Sequence, residues 1–197
     1  MILDKFTDIV GGEYISGMNN SIFFKPMSNG TTLTMGESSG VVRSMLDVSF
    51  YLRHIAKPGD LLMIDEPELY LHPESQRKFA RLFALLTHFG IQVMITTHSD
   101  YFIREFNTLI MLHEDKPYLK RIADREGYSE EELLDKDKIR AYVAEPDLSQ
   151  SRGNGSRYHT FVEADINDDE GIEARSFDKT IIKINEIQDT ILWGDGE

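Results

Sequence analysis

The chain has 197 residues, with 21 basic and 34 acidic side chains, a net charge of −13, 41% hydrophobic residues and 28% charged ones. That balance is globular and supports a sizeable core, while the excess acid, concentrated after residue 112, argues against an extended nucleic-acid groove. There is no cysteine, so disulfides, thiol nucleophiles and cysteine-ligated zinc are excluded; no signal peptide or membrane span is read, and a cytoplasmic protein is the expectation.

Apolar residues at Ile2, Leu3, Phe6, Ile9 and Val10 have helical spacing, stopped by Gly11-Gly12. A helix at the first residue with no cap before it reads as cut from something longer. Residues 13–16, 22–25 and 31–35 read as short strands, with Asn19-Asn20 and Asn29-Gly30 as turns. A polar loop, Gly36–Gly40, precedes helical spacing at Val42, Met45, Leu46, Phe50 and Ile55, which ends near Pro58-Gly59. Leu61–Ile64 is a continuous apolar run, the pattern of a strand buried on both faces of a parallel sheet. Residues 73–89 read as a helix, 91–95 as a strand, 99–106 as a short helix and 108–112 as a further strand. This alternation predicts a parallel α/β sheet. Beyond residue 112 the pattern weakens. Ser129–Glu132 has capping-box spacing, 139–144 and 158–164 read as strands, 149–156 as a polar loop, and Ser176 as the cap of a last helix.

Three short strings carry chemistry. Leu61–Ile64 runs into Asp65-Glu66-Pro67. This places two carboxylates at the C-terminal edge of a parallel sheet, where such sheets bind ligands. Asp65 suits a magnesium ion through water, and Glu66 can reach past it to orient or deprotonate a water. Ile95-Thr96-Thr97-His98-Ser99 ends the next strand with a histidine placed to meet a terminal phosphate. Glu37-Ser38-Ser39-Gly40 stands before a helix, where hydroxyls and free N–H groups receive anions. Each string also has a plainer reading: a strand end with solvated acids, a structural histidine, and an ordinary N-cap.

Taken together, in order and spacing, these strings resemble the ABC-type ATPase family, and more narrowly its SMC-like and OLD-like bacterial branch. The pieces are Glu37–Gly40 as signature loop, Leu61–Pro67 with Glu68–Pro73 as Walker B and D-loop, and Thr97-His98-Ser99 as switch loop. The resemblance is firm over about 36–112 and fainter at 171–192. It implies an α/β fold: the parallel-sheet half of a P-loop ABC-type ATPase domain (36–112), a remnant of an antiparallel lobe (1–35) and an acidic C-terminal α+β extension (113–197). It also implies ATP and Mg²⁺ as cofactors, Asp65 in magnesium and water organisation, Glu66 as general base and His98 on the γ-phosphate. Ser38 and Gly40, with Ser39 between them, would meet the nucleotide of an opposite subunit from an exposed loop. The implied partners are a second copy or a complementary ATPase half, and an effector protein.

Several features depart from the family pattern. The signature differs from Leu-Ser-Gly-Gly-Gln, and His72 stands where the D-loop has aspartate. None of the fourteen glycines is followed by lysine, so the sequence contains no P-loop. The Q-loop is not recognisable either. The chain therefore reads as the second half of an ATPase, catalytic only when completed. The alternative is a non-catalytic module supplying the signature loop in trans; a transporter ATPase subunit fits the Leu71-His72-Pro73 string poorly. Asp165, Asn167 and Asp169 have EF-hand spacing, but Glu170 and Ser176 stand at the glycine and glutamate positions, so a solvated hairpin is expected. Residues 113–197 show no Toprim nuclease motif.

Overall fold

In the computed structural model, residues 1–28, 30–146, 159–173 and 175–194 are described. They divide into two compact units, Met1–Leu134 and Asp135–Glu197. The first unit therefore runs past residue 112.

The first unit begins with α1 (Ile2–Val10), which ends on Gly11 in the left-handed conformation. Then β1 (Gly12–Ser16), β2 (Ile22–Pro26) and β3 (Leu33–Thr34) form an antiparallel sheet in that order. A Cβ at Gly12 would stand 2.4 Å from the Lys25 carbonyl oxygen, so only glycine fits where β1 starts. A short α2 (Gly40–Ser44) leads through Met45 into α3 (Leu46–His54). The parallel layer follows as β4 (Leu61–Asp65), α4 (Pro73–His88), β5 (Gln92–Thr96) and α5 (Asp100–Leu112). The unit closes with α6 (Pro117–Glu126) and a 3₁₀ turn at Glu130–Glu132.

Two sequence expectations are corrected here. Residues 108–112 are not a strand: α5 runs unbroken from Asp100, with Phe102, Leu109, Ile110 and Leu112 buried on its inner side. A five-residue apolar run carries no periodicity of its own, and here the helical packing decides. Nor is β4 buried on both faces. Leu62 and Ile64 of β4, with Val93 and Ile95 of β5, pack on the core, whereas Leu61, Met63 and Met94 are 55%, 62% and 51% exposed. The described parallel sheet has only these two strands.

The core is built around α4, whose Phe79, Leu82, Phe83, Leu85 and Leu86 are all buried. Phe79 meets Phe83 at 4.4 Å and Phe102 of α5 at 6.3 Å between ring centroids. Phe6, Ile9 and Val10 of α1 close the same cluster. Two buried carboxylates tie the helices together. Glu132, fully buried, accepts from Lys5 Nζ and Arg81 Nη2, each at 2.7 Å, and from the Ser129 N–H at 2.9 Å. Glu105 of α5 accepts from Arg77 Nε at 2.7 Å and the Tyr128 hydroxyl at 2.9 Å.

The second unit has two hairpins and a helix. β6 (Tyr142–Pro146) pairs with β7 (His159–Glu163), and β8 (Ile166–Asn167) with β9 (Gly171–Ile172). The Asp165–Asp169 stretch thus runs through β8 into the turn of a hairpin, with Asn167 Oδ1 accepting the N–H groups of Asp169 and Glu170. The last helix, α7, spans Arg175–Trp193, so Ser176 lies inside it rather than before it. The 149–156 loop lies outside the described residues. Among the described residues no helix is long and apolar enough to cross a membrane.

Candidate nucleotide-hydrolysis site

β4 and β5 run parallel in register, Leu61 opposite Gln92 and Asp65 opposite Thr96. Both chains therefore leave the sheet at the same edge, and each exit loop carries site residues. The Thr96 hydroxyl donates to Asp65 Oδ1. The Glu66 N–H points at the Thr96 carbonyl (3.1 Å) and hydroxyl (3.2 Å). These bonds lock the two strand ends together. Glu66 then turns the chain with φ 45°, a left-handed conformation unusual for glutamate. Pro67 behind it is fully buried.

The turn aims Glu66 across at the switch loop. Glu66 Oε1 lies 3.5 Å from His98 Nε2, and the His98 side chain is 83% exposed. Glu66 and His98 therefore face each other, while Asp65 stands at the same sheet edge with its carboxylate on the Thr96 hydroxyl. Beside them is a cleft of about 330 Å³ lined by Glu66, Glu68, Gln76, His98, Ser99 and Tyr101, among others. Gln76 of α4 bridges the loops, accepting from the Ser99 hydroxyl and donating to the Leu71 carbonyl at 3.0 Å. Ser99 also caps α5. His72 acts as the N-cap of α4, its Nδ1 accepting from the Glu74 N–H at 3.3 Å. This gives the residue in the D-loop aspartate position a local structural task.

The signature loop has a different arrangement from the one its sequence implied. Ser38 is buried, 5% exposed, and its hydroxyl donates to the Thr34 carbonyl at 2.8 Å. The expectation of an exposed Ser38 is corrected: β3 lies close enough to consume its hydroxyl. Ser39 is the exposed serine and caps α2 by accepting from Val42 N–H at 3.3 Å. Glu37 folds back on Thr34, accepting its N–H at 2.9 Å and its hydroxyl at 2.7 Å, which holds the Glu37 carboxyl below the usual glutamate range. Gly40 lies under the Tyr70 ring, where an added Cβ would stand 3.0 Å from ring carbons. The described residues lining the cleft include none of Ser38, Ser39 and Gly40.

Thr96, Glu68 and Gln76 were given no role from sequence. Thr96 had one available signal, its place at the end of the strand beside Asp65. The contacts of Glu68 and Gln76 join segments some two to three dozen residues apart, which no local pattern marks.

Among the described residues no group of three or more His, Asp or Glu is arranged to hold a metal ion by itself. The donor set still fits Mg²⁺ of the nucleotide-bound kind, which takes one or two carboxylates, substrate phosphates and several waters. Asp65 offers that carboxylate, exposed at the strand end.

A strand–helix–strand layer with acids and a histidine on its C-terminal edge is an α/β arrangement compatible with nucleotide binding at that edge. The comparisons agree. The profile described as AAA ATPase domain matches residues 2–103. An OLD nuclease of Thermus scotoductus is 30% identical over 90 residues, 44% of this chain and 16% of that protein. An Old nuclease of Escherichia phage P2 is 46% identical over 43 residues, 22% of this chain and 7% of that protein. The chain thus matches only a small part of the length of these relatives. A solved structure, described as concerning ATP-driven dimerization and DNA-stimulated activation of SMC ATPases, has the same fold at TM-score 0.50 and 13% identity, over 94% of this chain and 87% of that one. The chain belongs to the AAA ATPase domain family.

Proposed function

We propose that this chain supplies the general base, the switch histidine and the signature loop of an ATP-hydrolysing machine. The observation that carries this reading is the meeting of Asp65, Glu66 and His98 at one sheet edge, with 3.5 Å between the carboxylate and the imidazole. Glu66 accepts the proton of the attacking water. His98 donates to the γ-phosphate and keeps that water in line. Asp65 would hold Mg²⁺ through its water shell, and the ion would supply charge stabilisation to the phosphates.

The sequence has no phosphate cradle of its own, so in this reading ATP arrives on a P-loop-bearing half. The uncovered Leu61–Met63–Met94 face supports such a partner, because parallel sheets are ordinarily covered on both sides. Two such assembled domains, a pair of copies, close head to tail. Ser39 and Gly40 then meet the nucleotide of the opposite subunit; Ser39 replaces Ser38 in this role because its hydroxyl is the exposed one. The resulting switch acts on an effector protein in the cytoplasm. The setting proposed is bacterial defence against phage, on the resemblance of the Asp65–Pro73 motif to the OLD-like branch alone.

The test joins a P-loop-bearing half, taken from the Thermus scotoductus relative, ahead of Met1 and measures ATP hydrolysis. Hydrolysis is expected, and Glu66→Gln lowers it by about 10²–10⁴-fold while ATP binding is retained. Unchanged hydrolysis in Glu66→Gln overturns the assignment. The non-catalytic module would then be the better reading.

A further inference from the structure

We infer that Glu68 is a positioning residue for the switch histidine; this rests on the pairing of Glu66 with His98 described above. The imidazole of His98 is 83% exposed. Side-chain packing therefore does little to hold it, and its direction is set by its main chain. That main chain is held from the opposite loop. Glu68 Oε1 accepts the His98 backbone N–H at 2.6 Å, across 30 residues of sequence. A short bond from an amide to a carboxylate is of the strong, charge-assisted kind.

The carboxylate is itself fixed. Glu68 follows the buried Pro67, and its carbonyl accepts the Leu71 N–H at 2.9 Å, closing the turn before α4. Its second oxygen, Oε2, is buried with no hydrogen-bond partner among the described residues. A buried carboxylate oxygen left unpaired is costly and is kept where the rest of the group has a task. Here the task is geometric. Glu66 and Glu68 lie on one short turn, Glu66 facing the ring of His98 and Glu68 its amide. One rigid turn thus sets both the base and the phosphate-sensing ring. A displacement of about 1 Å at such a ring costs on the order of 10²-fold in rate.

The test needs neither nucleotide nor a partner half. In ¹H–¹⁵N spectra of the full chain, the His98 amide proton is expected far downfield and slow to exchange. Glu68→Ala should move it upfield and speed its exchange about tenfold or more. Glu68→Gln keeps a neutral acceptor and should restore most of the shift; it also carries the test if Glu68→Ala does not fold. The second readout is the imidazole. Its ring carbon shifts should respond to Glu66→Gln in the parent chain and lose that response when Glu68→Ala is added. A merely structural Glu68 would leave the response intact. An unmoved His98 amide in Glu68→Ala, or a ring that senses Glu66 equally with and without Glu68, overturns the proposal. Both readouts are independent of hydrolysis, so a failure of Glu66 as general base shows separately in the ATPase assay.

Discussion

Glu66 occupies a backbone position that glutamate does not favour. At φ 45° a side chain meets its own carbonyl, and such residues cost about 1–3 kcal/mol each. The strain is maintained by the two bonds that the Glu66 N–H donates to Thr96 and by the buried Pro67. Glycine adopts this conformation without penalty, at the expense of greater unfolded-state entropy. We therefore expect Glu66→Gly to leave the fold as stable as the parent or up to about 1 kcal/mol more stable, by urea denaturation, while removing the carboxylate. A loss above about 1 kcal/mol would show that the Glu66 side chain supports the fold. The placement of Asp65, Glu66 and His98 at adjacent strand ends was legible in sequence, because an apolar run ending in acids and a second run ending in histidine place their own ends. The burial of Ser38 was not, since its partner is the main-chain carbonyl of Thr34, and a carbonyl leaves no mark on residue identity.

At the scale of elements, α1, α4 and the 129–132 turn meet on the single carboxylate of Glu132. Burial pushes its pKa up, but the hydrogen bonds from Arg81, Lys5 and Ser129 push it down and prevail, so it lies below the usual glutamate value. A group with a depressed folded pKa stabilises above its unfolded value, about 4.3 for glutamate, and loses that contribution as pH falls through the folded one. Acid denaturation should therefore show a limb below about pH 4.3 that flattens in Glu132→Gln. Arg81→Met at neutral pH leaves the charge half-paired and should cost about 3 kcal/mol or more, read by thermal or urea unfolding. A cost within about 0.5 kcal/mol, typical of surface changes, would remove Glu132 as the joint between these helices. The helices α1 and α4 themselves were legible from their apolar spacing. The joint was not, because Lys5, Arg81 and Glu132 are scattered over 127 residues. The apparent strand at 108–112 misled for a related reason: Leu109 and Leu112 belong to a helical face that begins with Phe102, outside the five-residue window.

For the whole molecule, the family and the fold were readable because the Asp65–Pro73 string is specific and sits between two strongly patterned strands. The extent of the first unit was harder to see. Residues 113–134 have few apolar side chains, yet Ala123 and the Glu132 and Tyr128 contacts fasten them to α4 and α5. The lack of a P-loop sets a simple expectation for this chain alone. Titration with a fluorescent ATP analogue and magnesium should show no saturable binding in the low-micromolar range. Binding of that strength would place a phosphate cradle in residues whose sequence does not announce one.

The bare outer face of β4 and β5 also bears on how the chain behaves in a cell and in a tube. Two adjacent strands expose Leu61, Met63 and Met94, and both strands have open edges, the combination that seeds strand-to-strand clumping. The −13 charge opposes it, but salt screens that repulsion within roughly 8–10 Å. Production of the chain by itself should thus give material that precipitates as ionic strength rises and engages chaperones early. Placing lysine at Met63 and Met94 together should raise the soluble yield and leave the far-ultraviolet circular dichroism unchanged, because neither side chain reaches the core.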